Sequence, residues 1–169
     1  CNLPVDIVIM GQEIYNEHCK DCNEMSTPAS VLGDIELETL CTNSIQTSYQ
    51  KGERIIKQGA FTNHIAFIKS GIIKTHMTGP YQKDEILKIV KGPKFVGIPD
   101  VIINKTHSHS VTAFSDIRAC LINASGFLHL LNHNASFAME VFKDISENHI
   151  EHLTHCVNKV QKQLTASLA

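Results

Sequence analysis

The rhythm of hydrophobic and polar positions changes twice along the chain. Residues 1–33 have little rhythm: an apolar piece, Val5–Met10, precedes the polar stretch Gln12–Glu24 and the turn-rich Ser26-Thr27-Pro28-Ala29-Ser30. This reads as an N-terminal arm, not a core element. Ile35, Leu37, Leu40 and Ile45 then recur at spacings that suit a short amphipathic helix, with Asp34 placed to cap it. From Tyr49 to Ile122 short apolar runs alternate with turns. The runs are Arg54–Lys57, Ile65–Lys69, Ile72–His76, Glu85–Val90, Lys94–Val96, Ser110–Ala113 and Ile117–Ile122. Gly52, Gly59, Gly71, Gly79-Pro80, Gly92-Pro93 and Gly97 punctuate them. Many short strands at close spacing predict a β-barrel or jelly roll.

Past Ile122 the period becomes helical again. Gly126–Leu131 predicts one short helix. Ser136 then opens a run to Ser167 without Gly or Pro; Ser136 is the expected cap, and Glu140 lies in the early turns at the positive dipole end. A helix of about 30 residues is about 45 Å long, more than one small β domain covers. Ile150, Leu153, Val157, Val160 and Leu164 follow the 3, 4, 3, 4 spacing of a coiled-coil seam. The expectation is a parallel homodimer paired along that seam.

The pattern as a whole predicts an α+β chain, mainly β. An arm (1–33) leads into a jelly-roll (double-stranded β-helix) sensor domain with flanking short helices (34–134), followed by a dimerisation helix (135–169). The composition agrees: of 169 residues, 43% are hydrophobic and 19% charged, which is globular. A formal charge of −2 with no basic block argues against nucleic-acid binding by this segment itself. Apolar runs such as Val5–Met10 are too short to span a bilayer, and nothing at the front reads as a signal peptide. Cys1 in place of Met reads as a trimmed or processed start. A cytoplasmic protein is expected, with six cysteines that are reduced, metal-bound or redox-active. Nucleophile–base pairs, paired acids in context and phosphate loops are missing, so an enzyme is not expected.

Within this order of elements sit Tyr49-Gln50-Lys51-Gly52-Glu53, Ile55-Ile56-Lys57-Gln58-Gly59, Phe67-Ile68-Lys69-Ser70-Gly71 and Ile72-Ile73-Lys74. Over roughly residues 19–169 the chain resembles the Crp/Fnr family of bacterial transcription regulators, built on the cyclic-nucleotide-binding β-roll. Gly52, Gly59 and Gly71 fall where tight strand connections need positive φ or no side chain. The resemblance implies an effector-sensing and dimerisation domain. It also implies a winged helix-turn-helix after the long helix. Gln163-Leu164-Thr165-Ala166-Ser167-Leu168-Ala169 resembles the hinge and first turn leading into that module. DNA and RNA polymerase would then be partners only through a domain missing here. A standalone β-roll ligand-binding protein is the alternative.

Nucleotide-binding members of the family place Gly-Glu before a short helix, for the ribose, and Arg-Ser on the next strand, for the phosphate. Here Gly97 is followed by Ile98, and His107-Ser108 stands where Arg-Ser would be. A neutral imidazole does not replace a bidentate guanidinium, so a cyclic nucleotide is an unexpected effector. Gly97, Ile98, His107, Ser108 and His109 form the expected effector pocket. On a strand, His107 and His109 would face one side, as in the metal site of cupin enzymes. The carboxylate that site needs is missing until Asp116, which leaves a cupin-like metalloenzyme as a remote alternative.

His18-Cys19-Lys20-Asp21-Cys22 is similar to the cysteine motif of Fnr-type oxygen sensors, which hold a [4Fe–4S] cluster through arm cysteines and one β-roll cysteine. Cys19, Cys22 and Cys120 match by residue; the third arm position falls near Pro28. The resemblance implies a redox, oxygen or nitric-oxide signal. A zinc pair, a thiol–disulfide switch and, for Cys120, a plain core role stay open. Haem is a further option, because His149, His152 and His155 follow one another on the long helix beside Cys156.

Overall fold

The computed structural model describes residues 28–79, 83–103 and 106–167. Cys19 and Cys22, with the rest of the expected arm motif, lie outside these residues. A short 3-10 turn, Pro28–Val31, leads into α1 (Asp34–Thr42). Eight strands follow: β1 (Ser44–Tyr49), β2 (Arg54–Ile56), β3 (His64–Ser70), β4 (Ile72–Thr78), β5 (Asp84–Lys91), β6 (Lys94–Val96), β7 (Ser110–Ala113) and β8 (Ile117–Asn123). The short helix α2 (Ile98–Ile103) interrupts them after β6, and α3 (Ala124–His133) and α4 (Ala135–Ser167) close the chain.

The strands form two four-stranded antiparallel sheets, ordered β1-β8-β3-β6 and β2-β7-β4-β5. Except for the β4–β5 pair, consecutive strands land in opposite sheets, so the chain winds around itself as a roll. The predicted jelly-roll class is thus the one observed. β3, with the unbroken apolar run Ile65–Ile68 at its centre, explains the layering. Ala66 and Ile68 point between the two sheets, into a core with Tyr49, Ile56, Ile73, Val111, Ala113, Ile117 and Ala119. Ile65 and Phe67 point the other way, into a second core with Leu40, Phe95, Ile98, Cys120, Ile122, Phe127, Leu130, Phe137 and Val141. Covered on both faces, β3 reads as a continuous apolar run and not as an alternation. Through the second core runs a chain of rings: Phe67–Phe95, Phe95–Phe127 and Phe127–Phe137, at centroid distances of 4.8, 5.7 and 5.3 Å. It joins the first sheet to the first turn of α4.

Gly52, Gly59 and Gly71 all have positive φ, as expected. Gly71 is the strictest. Its φ is +98°, and a Cβ there would lie 2.3 Å from the Asp116 carbonyl oxygen.

Three local expectations are corrected. Ile45 belongs to β1, because α1 stops at Thr42 and residues 44–49 pair with β8 from Ser44↔Ile122 to Tyr49↔Ile117. Asp34 is the first helical residue of α1, not its cap: Gly33 precedes the helix and donates its N–H to the Glu36 carboxylate at 3.0 Å. The α4 cap is Asn134, whose Oδ1 accepts the Phe137 N–H at 2.9 Å, two residues earlier than Ser136. The Asn134 amide also donates to Glu36, at 2.9 and 3.0 Å to its two carboxylate oxygens, fastening α1 to the α3–α4 corner.

α4 has 33 residues, about 50 Å at 1.5 Å per residue. Phe137 and Val141 are buried in the helix-side core, with Ile145 packed against it. From Leu153 to Ala166 every residue is exposed. Among the described residues, no helix is long and apolar enough to cross a membrane.

Candidate functional site

A half-open pocket of about 530 Å³ lies between the roll and α4. Thr75 of β4, Leu87, Lys88 and Val90 of β5, and Lys94, Phe95 and Val96 of β6 form its sheet side. The turn into α2 adds Gly97, Ile98 and Pro99, and the segment before β7 adds Ser108 and His109. α4 roofs it with Asp144, Ile145, Asn148, His149 and His152. Local backbone rules position this set. Gly97 has a φ of +90°, which swings the chain from β6 into α2. The His107 backbone, held to Ala60 and Gly59 by two 2.8 Å hydrogen bonds, fixes the segment leading to Ser108 and His109.

Four of the five expected pocket residues, Gly97, Ile98, Ser108 and His109, line this cavity; His107 does not. Residues 107–109 precede β7, so the strand geometry that would have put both imidazoles on one face does not apply. His107 is 7% exposed and packs beneath the α2 turn: its Cε1 lies 3.3 Å from where a Gly97 Cβ would be.

Behind the pocket's inner corner is a residue the sequence reading passed over. Asp100 is 5% exposed. Its Oδ2 lies 3.5 Å from His107 Nδ1 and 3.9 Å from His109 Nδ1. Among the described residues, neither Asp100 Oδ2 nor His107 Nδ1 has a hydrogen-bond partner. His109 Nδ1 also shares a 3.0 Å hydrogen bond with Ser108 Oγ. Burial holds the His109 imidazole below its ordinary pKa; Asp100 opposes that shift, and His107 and His76 add to it. Buried His76 belongs to the same group, with Nε2 2.9 Å from Thr112 Oγ1 and Nδ1 3.4 Å from Asp84. The signal for Asp100 was a lone acid within Ile98-Pro99-Asp100-Val101-Ile102-Ile103, otherwise an apolar run.

At the pocket's outer side, α4 is tied to the second sheet's edge and to β6 by charge. Lys94 Nζ lies 2.6 Å from Asp144. Lys88 Nζ donates to the Glu151 carboxylate and, at 3.3 Å, to Asn148 Oδ1. The Lys88 hydrogen bond, reinforced by its charge, holds the Glu151 carboxyl below its ordinary range. Both lysines of the pocket are thus paired, and no arginine lines it. Leu87 and Lys88 continue into a shallower groove with Ile86, Ile89, Glu151, His152 and His155.

Cys120 is buried in the helix-side core with Phe67 and Phe95. Cys41 of α1 is disulfide-bonded. Among the described residues, no three His, Cys, Asp or Glu side chains are arranged to hold a metal ion. Ile150, Leu153, Val157, Val160 and Leu164 all lie on α4 and are each more than half exposed.

The family model for the cyclic nucleotide-binding domain matches residues 46–134, just over half of the chain. Among solved structures, the chain is similar to a cyclic nucleotide-binding domain from Methylobacillus flagellatus. That match has a TM-score of 0.65 at 14% identity, over 76% of this chain and 74% of that one. It is similar to the sensor domain of the transcriptional regulator DNR from Pseudomonas aeruginosa, with a TM-score of 0.65 at 16% identity over 75% and 85%. The Thermus thermophilus catabolite activator protein matches with a TM-score of 0.63 at 16% identity, over 79% of this chain and 63% of that protein. At these identities the likeness is one of fold. No curated protein matches the sequence.

Proposed function

We propose that this chain, which belongs to the cyclic nucleotide-binding domain family, is the effector-sensing and dimerisation part of a Crp/Fnr-type transcription regulator whose effector is not a cyclic nucleotide. One observation carries the reading: α4 serves two surfaces. Its first half roofs the pocket, and its second half bears the exposed apolar seam. A ligand that shifts how the first half seats on the roll redirects the seam, so binding and pairing share one rigid element. Phe95 extends this coupling. It lines the pocket and meets Phe127, which meets Phe137 in the first turn of α4.

The pocket's charges disfavour a cyclic phosphate. A buried phosphodiester needs an unengaged cation and converging donors. Here the arginine position of nucleotide-binding relatives is His107, set behind the turn, and both lining lysines are already paired with α4 carboxylates. Ile98 replaces the ribose-binding acid and packs in the core.

For a redox or gas signal, the iron–sulfur option has one ligand among the described residues, Cys120, and that side chain is packed in an apolar core. Haem is the second reading, favoured by one observation: His149 and His152 line the pocket from α4, and His109 lines it from the roll. Imidazole is a haem ligand type, and bound haem would supply oxygen or nitric-oxide chemistry. Titration with hemin tests this reading through a shifted Soret band that weakens in His149→Ala and His152→Ala.

The main reading is tested by sedimentation equilibrium together with calorimetric titration of cyclic AMP. A dimer at high micromolar concentration and no cyclic AMP binding are expected. A monomer at that concentration, or a micromolar Kd for cyclic AMP, overturns it.

A further inference from the structure

We infer that the pocket takes a small molecule with an apolar body and a cationic, hydrogen-donating head, a protonated amine, and turns anions away. This rests on the pocket being the effector site and names the class of ligand it selects. The body is set by the walls: Leu87, Val90, Phe95, Val96, Pro99 and Ile145 are apolar and come from both the roll and α4. A cavity of about 530 Å³ suits a compact drug-sized molecule.

The head is set by the inner corner. Asp100 stands one layer behind His109, 3.9 Å from its Nδ1 and 3.5 Å from His107 Nδ1, and its Oδ2 accepts no hydrogen bond from the described residues. A carboxylate this buried attracts positive charge and donors across a low dielectric, and repels an anion through the same medium. His109 relays the preference. Its Nδ1 lies 3.0 Å from Ser108 Oγ and 3.9 Å from Asp100; a proton held on that nitrogen toward the carboxylate leaves Nε2 as an acceptor. Burial keeps the ring neutral, so it offers a lone pair to a donor and no positive charge to an anion. The outer side agrees. An anionic head near Lys88 or Lys94 must displace Glu151 or Asp144, whereas an ammonium meets no unpaired cation there.

Three probes that share an indole body separate the heads: tryptamine (ammonium), tryptophol (hydroxyl) and indole-3-acetate (carboxylate). Each is titrated calorimetrically into the full chain. Tryptamine is expected to bind most tightly, tryptophol more weakly, and indole-3-acetate at least about tenfold more weakly than tryptamine, a gap of one decade in Kd. Asp100→Asn is expected to shrink that gap while leaving tryptophol within a few-fold of wild type. If Asp100→Asn does not fold, His109→Phe is the second variant, because it removes the acceptor at the pocket surface and is expected to weaken tryptamine and tryptophol together. Equal or tighter binding of indole-3-acetate, or no binding of any probe by folded wild type, overturns the inference. Neither result bears on dimerisation or on cyclic AMP, so failure here is distinct from failure of the sensor reading.

Discussion

The two halves of α4 have similar apolar periodicity and opposite fates. In the first half, Phe137 and Val141 are buried, Ile145 is partly covered, and Lys94 and Lys88 of the roll reach across to Asp144, Asn148 and Glu151. In the second half Lys159 reaches Glu85 of β5 at 3.4 Å, but the seam residues from Ile150 to Leu164 stay more than half exposed. The difference is one of neighbours, not of sequence type. An exposed stretch of about four turns is near the length at which an isolated helix is marginal in water, so much of its stability has to come from outside the fold. The first half is therefore expected to answer to the roll, and the second half to a second copy.

The sharpest way to break this contrast is Phe137→Ala. Phe137 closes the ring chain at a fully buried position. Its loss is expected to destabilise the domain by about 3–5 kcal/mol and to lower the Tm by roughly 10 °C in a chain of this size. Val160→Ala, on the exposed half, is expected to leave the unfolding of the roll almost unchanged. Comparable losses from both would mean that the two halves form one cooperative unit.

The second half has its own probe. Val157→Lys places a charge in the middle of the seam. It is expected to weaken dimerisation by about 2–3 kcal/mol, on the order of a hundredfold in Kd. Sedimentation equilibrium across a concentration series measures this, and circular dichroism should show the roll intact. An unchanged dimer would place the pairing surface elsewhere.

Legibility in the sequence divides along the same line. Elements with one dominant signal were readable. Seven strands follow their apolar runs to within about two residues at most ends, and the α4 seam stands out because nothing interrupts it. β1 was missed because Ser44-Ile45-Gln46-Thr47-Ser48-Tyr49 is mostly polar; its place is fixed by six pairs with β8 and not by its own hydrophobicity. The α4 cap was misplaced because Asn134 and Ser136 are both capping residues, and only backbone geometry chooses between them. The pocket was half legible. Gly97, Ile98, Ser108 and His109 sit in segments that the family pattern marks, whereas Lys88, Asp144 and Asn148 come together only when β5 and α4 meet. Asp100 and His107 approach to 3.5 Å from separate segments, and no spacing along the chain announces that.

A milder test separates docking by packing from docking by charge. Lys94 and Asp144 are each less than a quarter exposed, so their pairing is shielded from solvent. Lys94→Ala is expected to cost about 1–2 kcal/mol by leaving Asp144 without its donor, and to speed amide exchange in residues 137–148 before the rest of the domain. The double change Lys94→Met with Asp144→Leu is expected to recover most of that loss, because matched apolar groups remove the uncompensated charge. If the double variant is as unstable as the single one, the ion pair specifies the seating of α4 and does not merely tolerate it.

The smallest effect is expected from acid, and it belongs to the roll side of the contrast. Burial depresses the His109 pKa below 6.5, so the unfolded chain takes up a proton there at a higher pH than the folded one. Where the unfolded state binds more protons, stability rises with pH. The His109 contribution is therefore complete above about pH 6.5 and is lost progressively as the pH falls below that. The groups around it act in opposite senses: Asp100 favours the charged ring, whereas His107 and His76 oppose it. Glu151, held below its ordinary range by Lys88, enters only under more acidic conditions, below about pH 4.5. Thermal unfolding between pH 7.5 and 5.5 should show a modest fall in Tm that His109→Gln flattens and Glu151→Gln leaves in place. A slope unchanged by His109→Gln would assign the acid sensitivity of this window to the other imidazoles and would remove the reason for treating His109 as a neutral ring at the pocket wall.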